Sequence, residues 1–443
     1  MDGNSNSARI SMRGDRISLR SPNCNACFKV KITGKIDKNV FLDAVETVRK
    51  RHPPLNMTVD IDDDNNAWFI PGAGSVGVEF YDAGDGMDWE KWFEITDGIP
   101  FDCKNGPLVK IGVFSHPDTT EIFIVGNHAL GDGIGYINLT RDLLRALDGR
   151  LDATPQIPFK GNSFRVKTKL GYFSKLYADN LNKAWRASDR KRLSEDDYRT
   201  FFKDYRKKYP PKAHFASIKE PELSKLLSAC KKNRITVNEA IAAALIAAIQ
   251  KSGGGYKEKP VRLSVAASIR NDLVYPDVDC MGNYVTAISI KSKYDEKKNF
   301  LNNTRRIAAS LRKKLYTKKS RYLAVHFLGA VDADFLESAL YAAYGDYDNI
   351  HSKKLAAVIG EKTENKGFGL TNLGKQDFGA FDNFRLIDIL LIPPVYPAHI
   401  MNISVMTVNG EMRFGYGYSD TDIGDAQVEA ISFSTIEYLL KII

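Results

Sequence analysis

The sequence predicts a mixed α/β protein built from two halves, and three observations support this prediction. A chain of 443 residues is long for a single hydrophobic core. Apolar runs typical of buried strands alternate along the chain with apolar residues at helical spacing. Hydrophobic residues make up 43% and charged residues 26% of the sequence, which is ordinary globular usage. We therefore expect sheets and helices in each half.

The predicted N-terminal half, residues 1–164, contains strands at 27–34, 108–115 and 121–127. Asp37 is a suitable N-cap for a helix that follows the first of these strands, and the prolines of the Arg-His-Pro-Pro-Leu segment 51–55 should end that helix. A highly charged stretch at 165–211, which ends in two prolines, is interpreted as a crossover to the second half.

The predicted C-terminal half, residues 212–443, begins its clearest helix at a capping box formed by Thr236 and Glu239. This helix is apolar nearly all round as far as Lys251, so it should be buried. Strands are expected at 261–270, 282–292, 399–410 and 411–419, and helices at 298–316 and from about Asp425. A later block also contains the segments 368–374 and 385–394.

Composition excludes several classes of protein. The net charge of +9 is modest, and no helix-turn-helix, zinc-finger or RNA-binding signature accompanies it, so we expect no nucleic-acid partner. There is no apolar run of the length that spans a bilayer, and the polar N-terminus lacks a signal-peptide core, so the sequence predicts a cytoplasmic protein. Cys24 and Cys27 form a single CxxC without a second pair, so no metal site is expected.

His128 is the strongest candidate for chemistry. It opens the string His-Ala-Leu-Gly-Asp-Gly, an HxxxDG motif that directly follows a predicted buried strand. An imidazole is largely neutral at pH 7, so it can accept a proton from a hydroxyl group. On the string alone, a structural histidine in a turn is an equally open interpretation. His326 and His399 are interpreted as packed or surface histidines.

An ordered series of short segments surrounds this motif: 51–55, 101–114, 127–135, 268–273, 281–285, 371–374 and the terminal Gly-Tyr-Gly-Tyr-Ser-Asp-Thr-Asp string. Their order resembles the chloramphenicol-acetyltransferase-like superfamily over almost the whole chain. That superfamily also holds peptide-synthetase condensation domains, alcohol acetyltransferases and the plant BAHD acyltransferases. The resemblance implies two chloramphenicol-acetyltransferase-like subdomains, each with mixed sheets flanked by helices, and a tunnel between them.

The resemblance also implies roles for individual residues. His128 matches the general base, Gly133 matches the motif glycine, and Asp132 matches a structural aspartate that pairs with an arginine, for which Arg270 is the candidate. Taken alone, Asp132 is also a suitable helix cap and Arg270 a suitable strand-end residue. Thr371 and Asn372 match channel-lining positions where a donor to an oxyanion can lie, or else they belong to a turn.

The implied activity is that of an acyltransferase of the HxxxDG type, which moves an acyl group from a CoA thioester to a hydroxyl or amine. Acyl-CoA would be a co-substrate, with no bound cofactor, and the acceptor would be a small-molecule alcohol or amine. A stand-alone condensation domain that uses a carrier protein, and a catalytically inactive binding member, remain alternatives. Asn127 replaces the first histidine that begins the motif in condensation domains, which favours the CoA-dependent activity.

Overall fold

The computed structural model describes residues 9–12, 15–63, 66–72, 74–155, 169–190, 193–257, 259–274, 279, 281–344, 347–359, 366–396 and 398–443. The predicted boundary between residues 164 and 165 lies outside these ranges. The strands are β1 Ile10–Ser11, β2 Asn25–Thr33, β3 Met57–Ile61, β4 Ala67–Pro71, β5 Gly77–Asp82, β6 Val109–Ser115, β7 Thr119–Asn127, β8 Lys212–Ile218, β9 Val261–Ser268, β10 Val285–Ser292, β11 Gly367–Lys375, β12 Leu386–Ile392, β13 His399–Val408 and β14 Glu411–Tyr418.

The helices are α1 Arg16–Leu19, α2 Lys38–Arg51, α3 Trp89–Asp97, α4 Gly133–Leu147, α5 Tyr172–Arg186, α6 Glu195–Lys208, α7 Glu222–Lys232, α8 Val237–Lys251, α9 Phe300–Leu315, α10 Lys318–Leu328, α11 Ala333–Tyr344, α12 Ile350–Ile359 and α13 Asp425–Leu440. Within the described ranges, no helix is both long and apolar enough to cross a bilayer.

A five-stranded sheet in the order β12-β2-β7-β6-β5 holds the N-terminal half together. Strand β2 pairs antiparallel with β7, so that Asn25 lies opposite Asn127 at the end of the ladder. Helix α2 packs against α4, and the carboxylate of Asp37 caps α2 by accepting the N–H groups of Asn39 and Val40. Because β7 ends at Asn127 and α4 begins at Gly133, the HxxxDG motif forms the connection between a buried strand and a helix.

A six-stranded sheet in the order β10-β9-β11-β13-β14-β8 forms the C-terminal half. Helix α8 covers one face of this sheet and is buried over nearly its whole length, as its apolar sequence predicts. The side chain of Thr236 accepts the N–H of Glu239, and the Glu239 carboxylate accepts the N–H of Thr236, so the predicted capping box is present. Helix α13 packs against α8 on the same side.

Strand β12 belongs by sequence to the predicted C-terminal half, yet it joins the sheet of the N-terminal half. It lies late in the chain, yet it pairs antiparallel with β2 in the five-stranded sheet, with Ile389 opposite Val30. Its end lies against the six-stranded sheet, because a Cβ at Gly415 would be only 2.0 Å from the carbonyl oxygen of Leu391. Met406 of β13 belongs to the same hydrophobic core as β2 and β7. The two sheets therefore pack together along a shared surface, called the sheet interface below.

The charged stretch predicted as a crossover contains α5 and α6 in its described part, residues 169–190 and 193–211. These helices bury apolar faces against helices that the sequence did not predict. Trp185 of α5 stacks on Phe335 of α11 with ring centroids 4.8 Å apart, and Phe201 of α6 packs on Tyr341 of the same helix. Most of their charged side chains are exposed on the remaining faces, whereas Arg206 pairs with the buried Asp97. The crossover is thus a helical layer with its own small hydrophobic clusters.

Candidate active site

The turn that carries His128 is held by backbone and side-chain hydrogen bonds on both sides. The His128 N–H donates to the carbonyl of Cys24 at 3.0 Å, which fixes the turn to the start of β2. The side chain of Asn127 accepts the N–H of Ala129 at 2.9 Å and donates to the carbonyl of Leu19 at 2.9 Å. Asn127 is fully buried, so at the position of the first motif histidine it stabilises the turn.

Asp132 is the most heavily hydrogen-bonded residue of the motif. Its Oδ1 accepts the N–H of Gly135 at 2.8 Å, which caps α4, and also accepts Nη2 of Arg270 at 2.7 Å. Its Oδ2 accepts the N–H of Tyr284 at 3.0 Å, while Arg270 donates to the carbonyl of Gly282 at 2.9 Å. Asp132 and Arg270 are both buried. The structure therefore brings the two residues together, and both carboxylate oxygens are occupied by structural partners.

Gly133 lies where the motif meets β11. A Cβ at this position would come within 2.8 Å of the Leu373 side chain, so even alanine would push Leu373 away from the start of α4. Leu373 packs on the core that contains the motif. The small residue thus allows a strand of the six-stranded sheet to approach the turn that carries His128.

His128 is buried, with 8% of its surface exposed, and it lies at the sheet interface. The edge of its ring contacts Tyr396, with ring centroids 6.3 Å apart. Burial lowers the pKa of His128 below its usual value near 6.5, and the charge of Asp132 opposes part of this shift. In the described part of the chain, no carboxylate is hydrogen-bonded to the His128 ring, which contacts its own backbone instead. The lowered pKa favours the neutral imidazole at pH 7.

Thr371 and Asn372 lie on opposite faces of β11. Thr371 shares a face with Leu373, which contacts the motif glycine, so the half-buried Thr371 side chain faces the sheet interface. Asn372 points to the other face, and its Oδ1 accepts the N–H of Gly374 at 2.9 Å. The alternative that Asn372 serves turn geometry fits this contact, and only Thr371 lies on the side of His128.

Four residues near the motif were not singled out from the sequence: Asp15, Asn283, Tyr284 and Tyr396. Asn283 donates to the Asp15 carboxylate at 3.1 Å, and burial, together with the nearby charge of Asp132, raises the pKa of Asp15 to about 7. The segment 281–285 was recognised as part of the ordered series, but nothing in it indicated that the Tyr284 backbone binds Asp132. Tyr396 follows two prolines and carries no local signal of its contact with His128.

Comparison with known proteins identifies the fold. No protein-family model matches the chain. Among solved structures, the chain is similar to the TRI3 trichothecene 15-O-acetyltransferase from Fusarium sporotrichioides, with a TM-score of 0.67 and 15% identity over 100% of this chain and 97% of that one. It is also similar to the epimerization domain from the third module of tyrocidine synthetase B, with a TM-score of 0.62 and 15% identity over 100% and 98% of the two chains.

The first condensation domain of the CDA synthetase is similar too, with a TM-score of 0.61 and 12% identity over 99% of this chain and 97% of that one. The chain has the chloramphenicol-acetyltransferase-like fold. The two-subdomain fold class predicted from the sequence is confirmed by these matches. At such low identities the similarity establishes the fold and leaves the activity to be argued from the residues.

One curated relative matches in sequence. Nonribosomal peptide synthetase 4 of Gibberella zeae is 26% identical over 161 residues, which is 34% of this chain and 2% of that protein. The match thus spans a very small part of the relative's length. Across the described residues, no group of His, Cys, Asp and Glu side chains is arranged to hold a metal ion.

Proposed function

We propose that this protein is an acyltransferase that moves an acyl group from a CoA thioester to a hydroxyl or amine, with His128 as the general base. One observation carries the proposal: the buried ring of His128 lies against Tyr396 at the sheet interface, while the carboxylate of the neighbouring Asp132 is fully occupied by Arg270 and backbone N–H groups. Because the Asp132 carboxylate holds the turn and does not bind the His128 ring, the ring is able to accept a proton from a substrate.

In the proposed reaction, the acceptor O–H or N–H gives its proton to His128 as the oxygen or nitrogen attacks the thioester carbon. The tetrahedral intermediate then collapses, the C–S bond breaks, and the thiolate takes the proton from the imidazolium. The Thr371 hydroxyl lies on the appropriate face of β11 to donate a hydrogen bond to the intermediate's oxyanion. The Asp132–Arg270 pair holds the two sides of the site together without touching the reacting atoms.

Two further features support a CoA donor. The net charge of +9 suits the phosphates of CoA, although the same field would attract an acidic carrier protein, and CoA binding should weaken with salt over a Debye length of about 8 Å at physiological ionic strength. A similar solved structure is described as an acetyltransferase. With acyl-CoA as co-substrate and a small alcohol or amine as acceptor, we propose the cytoplasm as the site of action.

A condensation activity that uses a carrier-bound donor is the second candidate. The observation that favours it is the sequence match to a nonribosomal peptide synthetase, together with the structural similarity to condensation domains. Asn127 at the first motif position argues for the CoA donor, because its side chain is committed to the turn.

A thiol-release assay decides between these candidates. The full chain is incubated with acetyl-CoA, longer acyl-CoAs or acyl-loaded carrier protein, each with the same panel of alcohols, amines and sugars, and His128→Ala serves as the control. We expect His128-dependent thiol release with at least one acyl-CoA. Turnover with the carrier-bound donor alone would establish the condensation activity, and no turnover with any donor would leave the protein as a binding member of the fold.

A further inference from the structure

A small cavity lies at the sheet interface, close to the turn that carries His128. Its volume is about 40 Å³, and it is partly open to solvent. Asn23 and Val395 both line it. Each of them is next in the chain to a residue that contacts His128, because the Cys24 carbonyl accepts the His128 N–H and Tyr396 packs on the His128 ring. The cavity is therefore a close neighbour of the proposed general base.

The terminal Gly-Tyr-Gly-Tyr-Ser-Asp-Thr-Asp string, which belongs to the ordered series and has no role in the proposed reaction, forms one wall of this cavity. Gly417, Tyr418 and Ser419 line the cavity at the end of β14. A Cβ at Gly417 would be 2.4 Å from the carbonyl oxygen of Pro393. The glycine therefore allows the chain beyond β12 to lie against β14, where it closes the cavity on that side.

Two polar atoms of residues that line the cavity are buried without a hydrogen-bond partner among the described residues: Oγ of Ser419 and Nε of Arg206. Ser419 is 8% exposed and the Arg206 side chain is 10% exposed. Buried polar atoms are nearly always satisfied in folded proteins, so two unpaired ones beside a cavity indicate a bound partner. A guanidinium N–H only donates and a hydroxyl can donate, so the group that satisfies both atoms is a hydrogen-bond acceptor.

The charges around the cavity favour a neutral acceptor. Arg206 pairs with the buried Asp97 through Nη2, and Asn25 donates to the other oxygen of that carboxylate at 2.6 Å. Lys212 pairs with two aspartates that do not line the cavity. Each charge in the cavity wall thus has an opposite charge beside it. A charged ligand would find no uncompensated partner here to offset its lost hydration, whereas a neutral carbonyl loses much less hydration.

The size of the cavity and its apolar wall favour a short group. One water molecule needs about 10–15 Å³, so a cavity of about 40 Å³ holds about three non-hydrogen atoms. Cys27, Phe93 and Ile392 are buried and supply an apolar wall, while the half-buried residues 209–212 lie at the more exposed side. An acetyl group fits this description, because it places a methyl group against the apolar wall and a carbonyl oxygen near the two donors.

We propose that this cavity binds an acetyl group, carried as an ester or an amide on the acyl acceptor, while the reacting hydroxyl or amine of the same molecule lies at His128. Ser419 Oγ and Arg206 Nε donate to the acetyl carbonyl, and the methyl group packs on Cys27 and Phe93. This inference rests on the proposed acyltransferase activity and narrows its substrate class: the acceptor is a neutral molecule that already carries an N-acetyl or O-acetyl group.

Binding is measured first, without any thioester. The Ile392 methyl resonance of the full chain is followed by ¹H–¹³C NMR, and Ile392→Val assigns it. The neutral probes are N-methylacetamide and methyl acetate, and the charged probes of similar size are acetate and methylammonium. Ser434→Ala is the matched control for Ser419→Ala, because Ser434 is a similarly buried serine of α13 that does not line the cavity.

We expect saturable shifts of the Ile392 signal with both neutral probes. Their affinity should fall by roughly 5- to 10-fold in Ser419→Ala, the value of one hydrogen bond, and stay unchanged in Ser434→Ala. If the cavity holds only water, no probe shifts the signal in a saturable way, and the inference is refuted. Equally tight binding of either charged probe, or equal affinity in Ser419→Ala and the wild type, refutes it as well.

Thiol release then tests the role in substrate choice. The acceptors are N-acetyl amino alcohols of increasing chain length and n-alkanols of matching length. The wild type and Ser434→Ala should show a KM roughly 5- to 10-fold lower for at least one acetylated acceptor than for its alkanol, and Ser419→Ala should lose that preference. If Ser419→Ala keeps it, the inference fails while the acyltransferase activity stands. If no acceptor is acylated, the proposed function fails, and the NMR titration alone decides whether the cavity binds an acetyl group.

Discussion

His52 and His128 are both buried histidines of the N-terminal half, yet their rings have different surroundings. His52, at the end of α2, is fully buried, and its Nε2 lies 3.0 Å from Oδ2 of Asp142, a carboxylate that also accepts Arg51. Asp132 lies four residues after His128, but its carboxylate accepts hydrogen bonds from Arg270 and from backbone N–H groups and makes none with the ring.

The difference teaches how to recognise a functional histidine. Both residues occur in segments of the ordered series, and both are neighbours of acidic groups, so sequence distance does not separate them. The two histidines differ in what the neighbouring carboxylate binds. In this protein the histidine bonded to a buried aspartate completes the core, whereas the carboxylate next to His128 binds Arg270 and backbone N–H groups and makes no bond to the ring.

The largest expected effect comes from truncating each histidine in turn. His128→Ala should lower acyl transfer by roughly 10²–10⁴-fold, the usual cost of a lost general base, with little change in the free energy of unfolding. His52→Ala should leave a buried Asp142 oxygen with one partner fewer and lower the free energy of unfolding by about 1–3 kcal/mol. Steady-state thiol release and urea unfolding of both variants measure the two effects. If His128→Ala is fully active and folded, His128 is not the base.

The next expected effect concerns Asp132, whose carboxylate does not bind the His128 ring. Removing either Asp132 or Arg270 leaves a buried charge without its partner, so Asp132→Ala and Arg270→Ala should each cost about 3–5 kcal/mol of folding free energy. Because the two share one interaction, the double variant should lose less than the sum. Unfolding of the four proteins gives the coupling energy, and strict additivity would show that the pair is not an energetic unit.

A smaller effect is expected at β11, where Thr371 and Asn372 provide a matched pair. Thr371→Val removes a hydroxyl on the side of His128 and should lower kcat by about 10- to 100-fold, less than the loss of a dedicated oxyanion donor in other enzymes. Asn372→Ala, on the opposite face, should change kcat by less than a factor of about three, since it removes only a turn contact. Equal effects of the two substitutions would rule out a specific role for Thr371.

The smallest expected effect is a shift in the pH dependence of kcat/KM and of stability. The base must be neutral, and burial lowers the pKa of His128 below its usual value near 6.5, so the midpoint of the acid limb of kcat/KM should lie below pH 6.5. The unfolded chain protonates this histidine at a higher pH than the folded protein does, so stability should also fall as pH drops below 6.5. His128→Ala should lack that part of the loss. An acid limb with its midpoint above pH 6.5 would contradict the lowered pKa of the base.

Local rules predicted some of the elements and missed others. The Asp37 cap, the Thr236 capping box and the strands that flank the motif depend on neighbouring residues, and they lie within a few positions of where the sequence places them. Helices α10 to α12 are among the elements that were not predicted. Their apolar residues meet α5 and α6 in small clusters, and nothing near them in sequence indicates those partners.

The candidate site, too, could be predicted from the sequence only where it depends on neighbouring residues. The motif and its turn were evident because His128 to Gly133 are contiguous, whereas Tyr396 and His399 reach the interface only through the pairing of β11 with β13 and the return of the chain along β12. The faces of Thr371 and Asn372 likewise follow from strand register, which a single sequence does not fix. Roles that depend on distant pairing have to be determined from the structure.

The return of β12 to the five-stranded sheet has a consequence for biosynthesis. Strand β2 spans nine residues, Asn25–Thr33, and its outer edge is covered by a partner that leaves the ribosome more than 350 residues later. Until then, an extended and largely apolar strand presents unpaired N–H and C=O groups, the form most prone to intermolecular pairing. Such remote pairing also slows folding. A nascent N-terminal half should therefore depend on chaperones, and a gene split before β12 should yield an aggregating fragment that the C-terminal piece rescues only when both are made together.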